Sequence, residues 1–291
     1  MIKLEKKLTK KDLKPIERNT PTFQKIKKYG WLIRLPILKQ LYRKKHHPRG
    51  FNVEAGQIVP VNLKVGDYDS EAIPLKLIDH FIEKAGTIVI VQCPCRVTND
   101  CQNHSKDLGC IWMGKGAANL DLENLPGGSK GRYATKEEAK AHARAAIKNG
   151  LVPALGKLRG DAEAYNVLEY EDEFMNFCFC CSCCCVTAGM KYANSDFKHY
   201  IKRMDGVTIT TDPEKCIGVE NCGECFKVCI YDGLKIVNGK SAHNDNCIAC
   251  GNCEAVCPNG AISINFDEKK DIDKVINEII ERYEKIVDIS G

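Results

Sequence analysis

Cysteine carries the chemistry of this chain, with eighteen among 291 residues. Eight of them fall in two runs, Cys216-x5-Cys222-x2-Cys225-x3-Cys229 and Cys247-x2-Cys250-x2-Cys253-x3-Cys257-Pro258. Each iron of a cubane [4Fe–4S] cluster wants tetrahedral sulfur coordination and takes one thiolate from the protein. Two intervening residues let a tight loop reach three corners of one cube, and the three-residue gap sends the fourth cysteine to another cluster. Zinc fits less well. Cys222-x2-Cys225 and Cys247-x2-Cys250 have the spacing of a zinc pair of pairs, but zinc would leave Cys216, Cys229, Cys253 and Cys257 without a role.

The two runs are copies of one unit. Cys229 leads into Ile-Tyr-Asp-Gly-Leu-Lys-Ile-Val and Cys257 into Pro-Asn-Gly-Ala-Ile-Ser-Ile-Asn, each an Asp-Gly or Asn-Gly turn entering a strand. This repeat resembles the two-cluster ferredoxin domain of bacteria over about 65 residues. The resemblance implies a pseudo-two-fold fold and two ligand sets: Cys216, Cys222, Cys225 and Cys257 for cluster one, and Cys229, Cys247, Cys250 and Cys253 for cluster two. The chain departs from the pattern twice. Ile217-Gly-Val-Glu-Asn enlarges the first loop, and Ile230 follows Cys229 where proline is common.

Ten further cysteines precede this segment: Cys93, Cys95, Cys101, Cys110, Cys178, Cys180, Cys181, Cys183, Cys184 and Cys185. Six in eight residues would be an oxidation hazard without metal, so at least one additional iron–sulfur cluster is expected here, with not all ten ligating. If Cys93-Pro-Cys95 and Cys178-Phe-Cys180 are extended, the members of each pair point the same way and Cys181 points opposite to Cys180. One cubane needs four ligands, two need eight and a larger fused cluster an intermediate number; the sequence leaves these open. Arg96 is placed to offset cluster charge, and Gly109 and Gly114 to let backbone N–H groups approach sulfur. His104 and His142 read as solvent-facing or hydrogen-bonded rather than as ligands. Residues 51–190 are similar to the front half of uncharacterised multi-cluster iron–sulfur proteins of anaerobes, through Cys93-Pro-Cys-Arg, the helix from Glu137 to Gly150, and Cys178-x-Cys-Cys-x-Cys-Cys-Cys.

Several elements must position these groups. Ser70 to Gly86 reads as a helix capped by Ser70 and ended by Gly86, and Thr87 to Gln92 as a buried strand delivering the chain to Cys93. Thr135 and Glu138 form a capping box for a helix ending at Gly150, whose alanine face admits close approach. Residues 269–288 have the apolar spacing of an amphipathic helix. The expected fold class is α+β: a basic arm (1–50), a mixed α/β cysteine-rich domain (51–204), a ferredoxin-like dicluster domain (205–268) and a C-terminal helix (269–291).

The arm holds 16 Lys or Arg against 3 Asp or Glu, a balance of +13 within a chain of +5, so the remainder carries −8. Its Trp31, Leu35 and Leu38 can pack on the body, and its charge suits an acidic protein or an anionic membrane face. No nucleic acid is expected, since stacking platforms and a groove are missing. A start of Met1-Ile-Lys-Leu-Glu-Lys-Lys-Leu has no signal-peptide core, and no apolar run approaches a membrane span. These features point to the cytoplasm, where thiols bind metal rather than pair.

The leading functional reading is an electron-transfer protein of anaerobic metabolism rather than a stand-alone enzyme. It would relay single electrons through two [4Fe–4S] clusters to or from one or two further iron–sulfur clusters, or a redox partner docking by charge. One alternative is a reductase or ATP-independent activator with catalysis at an N-terminal cluster. Another is a cluster-assembly protein. No phosphate loop or dinucleotide fingerprint supports nicotinamide or flavin chemistry.

Overall fold

The computed structural model describes residues 56–61, 72–157, 159–185 and 201–291. The basic arm, with Trp31, Leu35 and Leu38, and the Ser70 cap lie outside the described residues. The chain contains both helices and sheets, an α+β composition.

A seven-stranded sheet forms the front of the molecule. Its strands are β1 (Gly56–Ile58), β2 (Ile88–Val91), β3 (Ile111–Met113), β4 (Gly131–Tyr133), β5 (Val152–Gly156), β6 (Met175–Cys180) and β7 (Ile201–Lys202). They lie in the order β4-β2-β3-β6-β5-β1-β7. All neighbours are antiparallel except β1 and β7. Three helices cover one face: α1 (Ala72–Lys84), α4 (Lys136–Lys148) and, from the far end of the chain, α8 (Ile272–Glu284).

The short helices are α2 (Pro94–Thr98), α3 (Lys115–Ala118), α5 (Arg159–Ala164), α6 (Glu224–Val228) and α7 (Asn252–Ala255). The C-terminal strands form two antiparallel pairs. In one, β8 (Val207–Thr211) joins β11 (Ile262–Phe266); in the other, β9 (Leu234–Val237) joins β10 (Lys240–His243).

The capping box at Thr135 is complete, with Thr135 Oγ1 accepting from Glu138 N and the Glu138 carboxylate accepting from Thr135 N at 2.8 Å. The alanine face of α4, at Ala139, Ala143 and Ala146, is wholly buried in the core that holds Ile78, Phe81 and Ile82 of α1. Small side chains there let the two helices approach closely. Gly86 has a different purpose from the one read in the sequence: a side chain there would collide with the carbonyl oxygens of Ser290 and Gly291. Gly86 N donates to Ile289 O at 2.8 Å, so this glycine seats the C-terminus.

Helix α8 ties the ends of the chain together. Ile272, Val275, Ile276, Ile279 and Ile280 face the main core, as the apolar spacing predicts. Tyr283 packs edge-on against Phe81, with centroids 6.3 Å apart, and donates to Leu155 O at 3.2 Å. Arg282 donates to Gln57 Oε1 at 2.7 Å, and Glu284 accepts from Lys84 at 2.8 Å. Val207, Ala249 and Ile264 from the cysteine repeat belong to the same core as the front sheet. Among the described residues, no helix is long and apolar enough to cross a membrane.

Candidate iron–sulfur sites

None of the eighteen cysteines, all of which lie among the described residues, is in a disulfide. The two C-terminal runs fold alike. Each short helix starts after a left-handed glycine, Gly223 (φ 68°) before α6 and Gly251 (φ 90°) before α7, and each carries a buried cysteine, Cys225 or Cys253. After each run the chain turns back and caps its last sulfur. Gly233 N donates to Cys229 Sγ and Ala261 N to Cys257 Sγ, both at 3.2 Å. Leu234 and Ile262 enter at equivalent places, five residues beyond those cysteines, and share one apolar cluster with Cys225 and Cys253.

Cys216, Cys222 and Cys225 line a cavity together with Cys257 from the other run. The enlarged loop contributes Ile217, Gly218 and Val219 to its wall, and Val219 N donates to Gly239 O at 2.9 Å. The second set, Cys229, Cys247, Cys250 and Cys253, gathers closely enough that each thiolate would disfavour its neighbours' ionisation. Burial is the larger cause. It pushes the Cys250 thiol up to about 12, and Cys225, Cys247 and Cys253 upward as well. Such pockets reject a bare thiolate, and a bound cationic metal reverses that preference. Ala249 sits buried at φ 51°, a left-handed conformation unusual for alanine, and turns its N–H to Cys247 Sγ at 3.4 Å. The thiol chemistry and N–H donors of both sets, and the cavity of the first, suit [4Fe–4S] clusters.

Two polar residues here escape a reading based on cysteine spacing. Ser241 Oγ accepts from Cys225 Sγ at 3.4 Å, and His243 Nε2 lies 3.7 Å from Cys253 Sγ. They alternate on β10, so a period-two reading of Lys240-Ser-Ala-His would place them on one face.

The front cysteines divide between sheet, helix and turn. On β6, Phe177 and Phe179 enter the main core, while Cys178 and Cys180 face the opposite side, as the alternation predicts. Cys181 returns to the main core. At Cys93-Pro-Cys95 the condition of an extended segment is not met. Cys93 is the N-cap of α2, with Pro94 at its first position, because proline's fixed φ suits a helix start.

Nine of the ten front thiols fall into three groups. Cys93, Cys95 and Cys185 interact with one another. Cys110 Sγ touches Cys178 Sγ at 3.2 Å. Cys183 Sγ lies 3.7 Å from Cys101 Sγ, 3.6 Å from Cys181 Sγ and 3.5 Å from His104 Nδ1, with Cys184 close to Cys101 and Cys183.

Arg96 lies among these groups at 0 % exposure. It donates to Phe179 O at 3.2 Å and to Leu108 O, hydrogen-bonds Cys181, and leaves its buried Nε unpaired. Burial pulls its pKa down, but the thiolates of Cys93, Cys181 and Cys110 outweigh this and the net shift is upward. A hydrogen bond from Cys95, together with the charge of Arg96, lowers the Cys93 thiol to about 7 against its burial. A buried guanidinium needs negative charge beside it, and metal-bound thiolates would supply that charge. Gly109 lets its backbone press against Val91 O and Cys93 N, where a side chain would collide. Gly114 does not approach sulfur; it turns at φ 90° between Glu173 O and Ile289. His142 is hydrogen-bonded, at 2.9 Å from Gly109 O.

The two halves meet through sulfur-bearing segments. Ile58, Val152 and Cys180 of the front sheet share an apolar cluster with Ile230 and Tyr231, and Cys178, Cys185, Ile248 and Cys250 pack against it. Val61 N donates to Cys250 O at 2.8 Å. A side chain at Gly251 would collide with Val61 O.

The family described as 4Fe-4S binding domain matches residues 242–263. An uncharacterized ferredoxin of Methanocaldococcus jannaschii is 38% identical over 60 residues, spanning 20% of this chain and 95% of that protein. A ferredoxin of Methanothermococcus thermolithotrophicus is 37% identical over 59 residues, with 20% and 97% covered. Ferredoxin-3 of Nostoc sp. strain PCC 7120 is 34% identical over 74 residues, with 19% and 73% covered. No solved structure matches the chain. These relatives correspond to the C-terminal part alone, and through that part the chain belongs to the 4Fe–4S ferredoxin family.

Proposed function

We propose that the chain is an electron-transfer protein that relays single electrons between two [4Fe–4S] clusters in its C-terminal repeat and one or more iron–sulfur clusters at its front cysteines. One observation carries the reading: thiols from segments far apart in sequence, Cys216, Cys222 and Cys225 with Cys257, line one cavity. This supports the ligand exchange expected of a pseudo-symmetric pair. Cys216, Cys222, Cys225 and Cys257 would hold one cluster, and Cys229, Cys247, Cys250 and Cys253 the other. Each cluster, when bound, takes up or gives up one electron.

The chain's own residues set the conditions for this chemistry. Gly233 N and Ala261 N hydrogen-bond to sulfur, a contact that tunes potential. Leu234 and Ile262 keep water from between the two sets. Ile58, Val152, Ile230 and Tyr231 form the dry contact between Cys250 and the cysteines of β6. This contact favours a relay within the chain over an isolated ferredoxin domain. Ile217, Ile236 and Val237 are exposed apolar residues. Ile217 borders the first cavity, and the loop it begins is hydrogen-bonded to the β9–β10 turn. We infer that a redox partner docks there, with charge guiding its approach, in the reducing cytoplasm of an anaerobe. The basic arm would contact an acidic protein or an anionic membrane face.

Iron and acid-labile sulfide counts on anaerobically prepared full-length protein test the proposal, with EPR of the reduced form. The expected result is two interacting [4Fe–4S]⁺ signals plus iron in excess of about eight per chain. A ferredoxin pair with no further iron would remove the relay and leave an electron carrier. An absence of both signals would overturn the reading.

A further inference from the structure

We propose that strand β10 poises the two clusters separately, Ser241 Oγ donating a hydrogen bond to the Cys225 sulfur of the first set and His243 Nε2 to the Cys253 sulfur of the second. This rests on the electron-transfer reading and extends it to the side chains that set each potential. The contacts are Cys225 Sγ to Ser241 Oγ at 3.4 Å and Cys253 Sγ to His243 Nε2 at 3.7 Å. Ser241 is 4 % exposed and His243 is half-buried, so water competes little for either.

The direction of donation follows from the metal. In the free thiol, Cys225 Sγ donates and Ser241 Oγ accepts. A thiolate on iron has released its proton to solvent and can only accept. The Ser241 hydroxyl then turns to donate, and His243 must carry its proton on Nε2 to keep the contact. Thr211 Oγ1, 3.4 Å from His243 Nδ1, holds the other edge of the ring. A hydroxyl can donate to a bare Nδ1 or accept from a protonated one, so the arrangement requires no particular charge on the imidazole.

The two copies of the repeat diverge at these positions. Asp212 N donates to Ala261 O at 2.7 Å, and Asn244 N to Gly233 O at 3.0 Å. Asp212 Oδ1 accepts from Glu214 N at 2.9 Å, and Asn244 Oδ1 from Asn246 N at 2.7 Å. Asp212 and Asn244 are therefore counterparts, which aligns β8 with β10: Thr211 with His243, and Ile209 with Ser241. Ile209 packs against the apolar cluster that holds Cys225 and Cys253, and its side chain has no donor. The backbone donors to Cys229 and Cys257 repeat at 3.2 Å in both copies, whereas at the aligned strand positions the sulfur contacts come from the second copy. A donor to sulfur favours the reduced cluster, which bears one more negative charge. Each side chain touches one set, so each should act on one potential.

The test is an EPR-monitored redox titration of full-length protein loaded anaerobically with iron and sulfide. Cys222→Ala and Cys250→Ala, each short of a ligand in one set, assign the two signals. Ser241→Ala should lower the ratio of reduced to oxidised first cluster at a fixed potential by roughly tenfold, about 59 mV for one electron, and leave the second in place. His243→Leu should do the same to the second cluster and spare the first. Ser241→Thr and His243→Gln, which keep a donor, should stay near the parent, and all four variants should hold the parent's iron. The proposal is overturned if Ser241→Ala and His243→Leu leave both potentials unmoved, or if either moves both clusters equally. Loss of about four irons from both His243→Leu and His243→Gln would make His243 a ligand and overturn it too. Absence of both signals in the unmutated protein would defeat the electron-transfer reading and this proposal with it, whereas parent signals with unmoved variants defeat this proposal alone.

Discussion

Sulfur is handled in two ways in this molecule. At the back, eight thiols stand apart, facing apolar residues and the N–H groups of tight turns. At the front, thiols touch one another, and a guanidinium is buried among them. The back half uses backbone geometry, which a short repeated sequence can encode twice. The front half uses a fixed side-chain charge, placed by a sheet whose strands come from distant parts of the chain. The back can therefore recur in relatives that span only a fifth of this chain, whereas the front needs the whole seven-stranded sheet.

The sharpest way to break this comparison is to remove one sulfur from the back. Cys250→Ala should cost the ferredoxin repeat one cluster, about four irons per chain, and leave the iron of the front half in place. Iron and sulfide counts with EPR measure both at once. Equal loss from both halves would mean that they do not hold metal separately.

Arg96→Met tests the front in the same spirit. It keeps much of the side-chain volume and removes the charge. With metal-bound thiolates left uncompensated, the front should lose about 3 kcal/mol or more, and its metal should dissociate first. The back should keep its reduced EPR signal. A variant that retains front metal at full occupancy would show that Arg96 is a packing residue.

Gly251→Ala addresses the seam. Gly251 has φ 90°, and a methyl group there meets Val61 O. The expected cost is about 1–3 kcal/mol, with the Cys250 loop lifted from Val61. Electron exchange between the halves should slow, while each half keeps its metal. Stopped-flow reduction followed at both sets of signals would read this, and unchanged exchange would remove the Cys250 contact from the route.

The parts legible in the sequence are those whose signal is local. The cysteine runs, the strand after Gly86, the Thr135–Glu138 box and the apolar spacing of α8 all lie within a few turns of chain. Long-range placement was not legible. Nothing near His104 announces that residues 79 positions away bring Cys183 to it. Ser241 and His243 sit beside Cys225 and Cys253 on β10, a strand that pairs with β9. At Cys93-Pro-Cys95 the extended geometry on which same-side pairing depended is absent, because Pro94 stands at a helix start. Gly86 and Gly114 were readable as special positions, yet their partners are the C-terminal residues that α8 delivers, and no local pattern names them.

The smallest expected effect concerns protons rather than metal. Asp161 lies beside the front cysteine strand and accepts from Asn176 Nδ2 at 3.0 Å, while Asn176 Oδ1 accepts from Cys178 at 3.2 Å. Burial raises its carboxyl from 3.8 to about 6, against the opposing pull of the Asn176 hydrogen bond. The folded pKa is above the unfolded one, so folding favours the neutral acid. That contribution is complete below about pH 4 and is lost as the pH rises through 6. Between pH 5 and pH 8 the protein should lose about 1 kcal/mol through this group, and Asp161→Asn should flatten that slope while matching the parent at the acidic end. Denaturant midpoints at the two pH values measure it. If the slope survives the substitution, the front half carries its pH dependence elsewhere, and the Asp161–Asn176–Cys178 chain is a packing arrangement without electrostatic weight.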